Sequence, residues 1–254
     1  MEKKIFLLGV GLNNLKMKDV LEFIIKGLGK NQKKYYIVTP NPEILVLADK
    51  DSDYKKVLNN AKLALPDGIG VIMASKLLGK PLRERVRGVD LMENLCKEVS
   101  KRPITVGFLG AGPGVAEKAA KCLREKYPGL KVAFIGEEWD TKNFKFQINS
   151  TIQQFNNSTM KQSIDILFVA FGSPKQEFWI SNNLEKLPVK IAIGVGGAFD
   201  FVSGKVRRAP FFVQKLGLEW LFRLIIQPWR IKRQLRLFKF IFWVLKEKIR
   251  VKMI

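Results

Sequence analysis

Short apolar runs alternate with longer amphipathic segments along the chain up to about residue 200. Apolar runs that end at turn residues are typical of buried strands, and apolar positions three and four apart indicate helices that pack on a sheet. The alternation predicts an α/β fold, with a Rossmann-like, mostly parallel sheet and helices on both faces. The expected strands span residues 4–10, 35–38, 63–65, 104–109, 131–135, 166–170 and 191–195. The clearest expected helices span residues 20–28, 89–101, 115–127 and 144–155.

The pattern changes after residue 204, where large apolar side chains and cations interleave. This segment holds fourteen Lys and Arg residues against Glu219 and Glu247, and so contributes +12 of the chain's net charge of +22. Its longest apolar run, 240–245, is far shorter than the roughly 20 residues that cross a bilayer. The composition is typical of a basic amphipathic helix that lies on an anionic membrane surface. We therefore expect a catalytic domain at 1–204 and a helical, membrane-associating C-terminal appendage at 205–254.

Two other interpretations of the tail stay open at this point. It could form a helical hairpin packed on the body with a solvated basic face, or it could bind nucleic acid. Exposure of its apolar face would also promote self-association in water, so a homo-oligomer is left open as well.

The amino-acid composition excludes several kinds of catalytic group and metal site. The 254 residues include no histidine, which excludes histidine general bases, Ser-His-Asp triads and histidine-ligated zinc. Cys96 and Cys122 lie in helical apolar patterns, which predicts core packing rather than a disulfide or a metal site. Asp51 and Asp53 are interpreted as a solvated break between helices 43–50 and 54–60 and not as metal ligands. The first residues lack a small-residue cleavage site, which favours a first strand over a signal peptide and predicts a cytoplasmic protein.

Ligands of open parallel sheets bind beyond the carboxyl ends of the strands, so the residues after each strand are the candidates for chemistry. After strand 104–109, the glycines Gly110, Gly112 and Gly114 form a turn whose backbone amides can approach a phosphate at a helix N-terminus. A plain tight turn is an equal alternative. Val115 takes the place of the last glycine of a dinucleotide fingerprint, which disfavours a nicotinamide-dependent oxidoreductase.

Polar residues follow two further strands. Thr39 and Asn41 are two apart in an extended, proline-rich stretch, so both side chains can face one ligand. Asn41 can also cap a helix that has Pro42 at its first position. Asp67 follows strand 63–65, where it is either part of a turn or a general base.

Gln176 allows two interpretations. The segment Ser173-Pro-Lys-Gln176 fits a helix capping box. Alternatively, the Gln176 amide can hydrogen-bond a sugar or a diphosphate.

These segments together resemble the WecG/TagA/CpsF family of bacterial glycosyltransferases over nearly the whole chain. The resemblance rests on the motifs TPNPE (39–43), LPDGIG (65–70), RVRGVDL (85–91), FLGAGPGVAEKAA (108–120), FGSPKQEFW (171–179), GVGGAFDFVSGKVRRAP (194–210) and GLEWLFRLIIQPWR (217–230). Many long matches in one order make a chance similarity very improbable. From about Arg236 onward the tail has a basic and apolar composition but no distinct motif, so it cannot be matched to the family residue by residue.

The resemblance implies transfer of a sugar from a UDP-sugar to a polyprenyl-diphosphate-linked sugar at the cytoplasmic face of the membrane. It implies inversion at the anomeric carbon, no essential metal and no cofactor. In the wall teichoic acid branch of the family, which we expect here, UDP-N-acetylmannosamine is the donor and undecaprenyl-diphosphate-N-acetylglucosamine is the acceptor. Another donor, such as a uronic acid or glucose derivative for capsule, exopolysaccharide or common antigen, is the alternative.

The resemblance also assigns roles. Asp67 would be the general base that deprotonates the acceptor 4-hydroxyl, and Thr39 and Asn41 would line the same pocket. Arg223, Arg230 and Arg233 of the tail would neutralise the departing UDP, for which guanidinium groups are well suited. Arg85 and Gln176 would complete the polar lining. Nucleic acid is not an expected partner, because nucleic-acid binding would leave these motifs unexplained.

Overall fold

The computed structural model describes residues 4–29, 33–136 and 163–252. Its strands are β1 (Ile5–Leu7), β2 (Val10–Leu12), β3 (Tyr35–Val38), β4 (Leu63–Ala64), β5 (Thr105–Gly110), β6 (Lys131–Gly136), β7 (Ile164–Ala170) and β8 (Val189–Gly194). Its helices are α1 (Met17–Leu28), α2 (Pro42–Lys50), α3 (Ser52–Asn60), α4 (Ile69–Leu77), α5 (Gly88–Val99), α6 (Val115–Lys126), α7 (Lys175–Asn183), α8 (Ala198–Val202), α9 (Phe211–Lys215), α10 (Glu219–Ile226) and α11 (Ile231–Lys252). Short 3₁₀ helices span Leu184–Lys186 and Pro228–Arg230. The expected helix 144–155 lies outside the described residues.

The chain divides into two compact units. The first comprises Met1–Met17, Thr39–Arg87 and Arg207–Ile254, and the second comprises Lys18–Val38 and Gly88–Val206. Each unit therefore combines segments that are distant in sequence. The division at residue 204 into a catalytic domain and an appendage stays a prediction.

The second unit contains a parallel sheet with the strand order β3-β8-β7-β5-β6. Every residue of β7 is buried, as is usual for a central strand covered on both faces. Phe108 on β5 lies 5.6 Å from Phe168 on β7 and 5.5 Å from Phe199 on α8, measured between ring centroids. The predicted α/β fold with a parallel sheet flanked by helices is confirmed, and β3 has the predicted bounds.

The prediction of a single strand at residues 4–10 is wrong. The segment instead forms an antiparallel hairpin of β1 and β2, which pair only with each other among the described strands. Leu8 and Gly9 both have positive φ, at 49° and 78°, as a tight two-residue hairpin turn of the primed type requires. Asn59 fixes this turn, because its Nδ2 donates to Gly9 O at 3.0 Å and its Oδ1 accepts from Gly11 N at 2.9 Å.

Helices α2 and α3 meet at Asp51, as predicted. The Asp51 side chain caps α3 by accepting hydrogen bonds from the backbone amides of Asp53 at 3.0 Å and Tyr54 at 2.9 Å. The Asp53 carboxylate lies at the surface, 3.0 Å from Lys56 Nζ. The two carboxylates therefore serve a helix junction. Cys96 is fully buried, as expected, and Cys122 is partly buried, and both are free thiols.

The C-terminal segment of the first unit contains α9, α10 and α11. Helix α11 packs mainly on α2 and also contacts α4. Its inward face carries Phe240 and Val244, which are 2% and 3% exposed. Among the described helices, none has both the length and the apolar character needed to cross a membrane.

Candidate active site

Three loops of the first unit are joined by backbone hydrogen bonds. The amide of Asp67 donates to Pro40 O at 2.9 Å, and the amide of Val86 donates to Pro66 O at 2.9 Å. These two bonds connect the TPNPE, PDG and RVRG segments. The structure thus brings Asp67 together with the loop that carries Thr39 and Asn41 and with the segment that carries Arg85.

The loop that carries Asp67 has little conformational freedom. Gly68 caps α4 with a positive φ of 95°, and a Cβ there would lie 3.2 Å from Pro42 Cδ. The Asp67 side chain is half-buried, and Thr39 is only 6% exposed. A carboxylate of this exposure on a fixed loop has the chemistry of a candidate general base.

Asn41 caps α2, as predicted. Its Oδ1 accepts a hydrogen bond from Ile44 N at 3.0 Å, and Pro42 occupies the start of the helix. Capping uses the carbonyl oxygen of the side chain and does not use the amide NH₂. Asn41 can therefore cap the helix and still donate a hydrogen bond to a ligand.

The RVRG segment contacts the tail through Gln214 of α9. Arg85 Nη2 donates to the backbone oxygen of Gln214 at 2.9 Å, and Arg87 Nη1 donates to its side-chain oxygen at 2.9 Å. Arg87 also forms a salt bridge with Glu219 at 3.1 Å. The second carboxylate oxygen of Glu219 accepts from Arg208 Nε at 3.3 Å. Glu219 therefore joins two arginines with its side chain only 17% exposed.

A second carboxylate, Glu43 of the TPNPE motif, binds the start of α11. Arg233 donates to it three times, from Nε at 2.8 and 3.1 Å and from Nη2 at 2.9 Å. Arg236 Nη1 donates to the same carboxylate. Charge-assisted bidentate pairs of this kind are stronger and more directional than single ion pairs.

The tail also packs on both sides of the first turn of α4, directly after Asp67. Gly217 of the tail lies against Ile69, and Gly70 faces Leu237 and Phe240 of α11. The helix that begins beside the candidate base is therefore in contact with two separate parts of the tail.

The three tail arginines of the predicted site have different surroundings. Arg223 is half-buried on α10 and its Nε donates to Gln227 Oε1 at 3.1 Å. Arg230 ends a 3₁₀ helix with its Nε buried. Arg233 is held by Glu43 with 43% of its side chain exposed.

In the second unit, the predicted turn of Gly110, Gly112 and Gly114 begins at the last residue of β5. Gly110 and Gly114 have positive φ values of 107° and 72°, and α6 begins at the next residue, Val115. Lys205 Nζ lies 3.2 Å from the position that a Cβ of Gly112 would occupy. A glycine turn before a helix N-terminus, with an amine beside it, is favourable for an anion.

The prediction of a capping box at Ser173 and Gln176 is wrong. Helix α7 has Pro174 at its cap position and makes no side-chain cap there. Ser173 Oγ and Gln176 Nε2 instead donate to the buried Glu177 carboxylate, each at 2.8 Å. Gln176 is 1% exposed, and its Oε1 accepts from Gly196 N at 3.0 Å, so it fixes the loop after β8.

Comparison with known proteins identifies the family to which these loops belong. Residues 5–253 match the glycosyl transferase WecG/TagA/CpsF family. The chain belongs to this family. It is a glycosyltransferase, as the motifs predicted.

Several relatives of this glycosyltransferase are similar over most of their length. A protein of Bacillus spizizenii strain W23 is 37% identical over 85% of this chain and 80% of the relative. A protein of Staphylococcus aureus strain MRSA252 is 33% identical over 98% of this chain and 95% of the relative. Both are named N-acetylglucosaminyldiphosphoundecaprenol N-acetyl-beta-D-mannosaminyltransferase.

Sequence reasoning missed four residues of the glycosyltransferase that organise these loops: Arg87, Glu219, Glu43 and Glu177. Glu219 had a usable signal, because one of only two acids in a strongly basic segment is expected to be paired. Glu43 lies within a recognised motif but its partners are almost two hundred positions away. Within the described ranges, no three Cys, Asp or Glu side chains are grouped closely enough to hold a metal ion.

Proposed function

We propose that the enzyme transfers N-acetylmannosamine from UDP-N-acetylmannosamine to the 4-hydroxyl of undecaprenyl-diphosphate-N-acetylglucosamine. The transfer would invert the anomeric carbon, use no metal and build the linkage unit of wall teichoic acid. The names of the Bacillus and Staphylococcus relatives support this choice of sugar and acceptor. The observation that carries the proposal is the position of Asp67 on a fixed loop just before α4, whose first turn is contacted by the arginine-rich tail.

In the proposed reaction, the Asp67 carboxylate takes the proton of the acceptor hydroxyl while the oxygen attacks C1 of the donor sugar. The bond between C1 and the UDP oxygen breaks, and UDP leaves with the electron pair. Attack from the face opposite UDP inverts the configuration at C1. Thr39 and Asn41 would orient the reacting sugar, because both belong to the loop bonded to Asp67.

The departing UDP needs positive charge when no metal is present. Arg223, Arg230 and Arg233 are proposed to supply it, because a guanidinium offers both charge and paired donors to phosphate oxygens. Arg85 would add to the polar lining, because it belongs to the RVRG segment that is bonded to the Asp67 loop through Val86 N and Pro66 O.

The substrate-binding roles of the second unit stay predictions. Gly110, Gly112 and Gly114 would offer backbone amides to a donor phosphate, with Lys205 as a nearby cation. The amide of Gln176 is engaged with Glu177 and Gly196, so its proposed contribution is to hold the loop after β8 in shape for the donor.

The outward face of α11 supports peripheral binding at the inner face of the cell membrane. An exposed apolar stripe, opposite the buried Phe240, repeats at alternating spacings of four and three residues. It consists of Ile231, Leu235, Phe238, Phe242, Leu245 and Ile249. Exposed lysines follow three of these residues directly, at Lys232, Lys239 and Lys246. Apolar side chains beside a row of cations suit anionic lipid headgroups, whereas the same row of lysines would repel a second copy of the helix.

The test is a panel of radiolabelled UDP-sugars offered with a water-soluble polyprenyl-diphosphate-N-acetylglucosamine analogue. We expect transfer from UDP-N-acetylmannosamine and little from its uronic acid or from UDP-glucose. Preferred transfer from another UDP-sugar would leave the chemistry in place but overturn the assignment of the donor. Absence of transfer from every donor would contradict the proposed function.

The role of Asp67 is tested by Asp67→Asn, which keeps the shape of the side chain and removes the proton acceptor. We expect a loss of about 10²–10⁴-fold in turnover, with UDP binding and thermal stability nearly unchanged. Asp53→Asn is the matched control, because it removes the same charge from a side chain that is 75% exposed. Turnover of Asp67→Asn close to that of the control would contradict the role of Asp67 as base.

A further inference from the structure

Glu43 occupies an unusual position between the site loop and the tail. It lies in the first turn of α2, two residues after Asn41, and its side chain is 17% exposed. It binds Arg233 and Arg236, the first arginines of α11, across a separation of 190 and 193 residues. A carboxylate in the first turn of a helix is favoured by the helix dipole, so Glu43 is stabilised at this place independently of the tail.

The geometry of the pair leaves one edge of the Arg233 guanidinium unused. Glu43 takes Nε and Nη2 of Arg233. A guanidinium carries five N–H donors in a rigid plane, so fixing one edge fixes the direction of the other. The end edge, formed by one N–H of Nη1 and the second N–H of Nη2, therefore points away from Glu43 in a set direction, and in the described part of the chain no acceptor other than Glu43 holds Arg233.

The charges of this cluster favour an anion at that open edge. One carboxylate faces two guanidinium groups, so the three side chains retain one formal positive charge. Arg233 is 43% exposed, so its open edge is accessible to an anionic ligand.

We infer that Glu43 is a positioning residue, which holds Arg233 so that its open edge meets the diphosphate of the UDP-sugar. The inference rests on the proposed function, in which Arg233 neutralises the leaving group. A competing role is that Glu43 occupies Arg233 in place of the diphosphate and so weakens donor binding. The two roles predict opposite effects when the charge of Glu43 is removed.

The experiment compares full-length Glu43→Gln and Glu43→Asp with wild type, with Glu93→Gln as a matched control. Glu93 is also a partly buried carboxylate, and it forms a salt bridge with Lys126 in the second unit. Turnover and KM are measured for the donor with the soluble acceptor, UDP affinity is measured by calorimetry, and Tm is measured for each variant. We expect Glu43→Gln to lose about tenfold in kcat/KM, by analogy with the roughly 10–100-fold losses seen when a residue that orients a metal ligand is changed. The aspartate, which keeps the charge, should recover part of the loss.

The decisive measurement is non-additivity. Because Glu43 is proposed to act through Arg233, Glu43→Gln should add almost nothing to the loss caused by Arg233→Ala. A general structural role would instead lower Tm and add its effect to that of Arg233→Ala. Wild-type kinetics for Glu43→Gln, full additivity, or a lower KM for the donor would each overturn the inference.

Failure of the proposed function would look different. In that case wild-type protein would transfer no sugar from any donor. The inference would then be decided by UDP affinity, which should fall for Glu43→Gln and stay unchanged for Glu93→Gln. Equal UDP affinity of Glu43→Gln and wild type would overturn it.

Discussion

Gly217 offers a direct test of the contact between the tail and the helix that follows Asp67. It ends α9 in a Schellman motif, in which its amide donates to Gln214 O at 3.1 Å and the Leu218 amide donates to Val213 O at 3.0 Å. Its φ is +76°, and a Cβ there would lie 2.7 to 2.9 Å from three side-chain atoms of Ile69. We predict that Gly217→Ala destabilises the protein and separates the tail from Ile69.

Gly79 allows the cost of alanine at positive φ to be separated from the cost of overpacking against Ile69. It ends α4 in the same motif and the same unit, with a φ of +71°, and a Cβ there would have nothing within 4 Å. Alanine at positive φ costs roughly 1–2 kcal/mol at either position. Overpacking against Ile69 costs a further 1–3 kcal/mol or so at Gly217 alone. The difference in free energy of unfolding between Gly217→Ala and Gly79→Ala therefore measures the cost of crowding Ile69.

The assay is thermal and urea unfolding of full-length Gly217→Ala, Gly79→Ala and wild type, together with turnover on the soluble acceptor. We expect Gly217→Ala to melt several degrees below Gly79→Ala, at about 2–4 °C per kcal/mol for a chain of this size. Its turnover should fall while that of Gly79→Ala is kept, because Ile69 is two residues from Asp67. Ile69→Ala should recover part of the stability, since it removes two of the three close contacts. Equal stability and equal turnover of the two glycine variants would refute the reasoning.

Three further predictions follow from the site and its surroundings. Activity should survive EDTA, because arginines are proposed to replace a metal; loss with rescue by Mg²⁺ or Mn²⁺ would show that a metal site was missed. The triple variant Lys232→Gln, Lys239→Gln and Lys246→Gln should lose roughly 100-fold in binding to anionic vesicles, at about 1 kcal/mol per lysine, but little on neutral vesicles; equal losses on both would refute a role for headgroup charge. Burial raises the pKa of Tyr35 to about 12, so this group should lower the free energy of unfolding as pH rises from about 10 to 12. Unfolding measured across this pH range should show a smaller fall in that free energy for Tyr35→Phe than for wild type.

The parallel sheet was predictable because its buried strands are short apolar runs with turn residues at their ends. β3, β5, β6, β7 and β8 all lie within two residues of their predicted bounds. The hairpin of β1 and β2 was not predicted, because Gly9 is the only turn residue of its Leu8–Gly9 turn and apolar residues stand on both sides. The length of an apolar run alone cannot distinguish one long strand from two short strands joined by a tight turn.

The loops that carry the candidate site could be predicted only where they directly follow strands. Asp67, Thr39 and Asn41 follow strands, and their grouping follows from the general geometry of open sheets. The partners of Glu43 and Glu219 depend on tertiary contacts between distant segments, and fourteen cations of the tail offer many alternatives. The capping box at Ser173 failed for a related reason, because the buried carboxylate of Glu177 competes for both of its side chains.

Six of the tail's fourteen cations form two groups that differ in residue type. Arg208, Arg233 and Arg236 are fixed by the carboxylates of Glu219 and Glu43. Lys232, Lys239 and Lys246 lie exposed beside the outward apolar stripe of α11. Arginine forms directional, bidentate contacts, whereas lysine is a mobile point charge that suits a diffuse anionic surface. Under the proposed function, the same segment would hold guanidinium groups against the TPNPE motif on one side and meet headgroups on the other. Exchange of the two types should separate these roles: Arg233→Lys should lower turnover and keep vesicle binding, and Lys239→Arg should change neither.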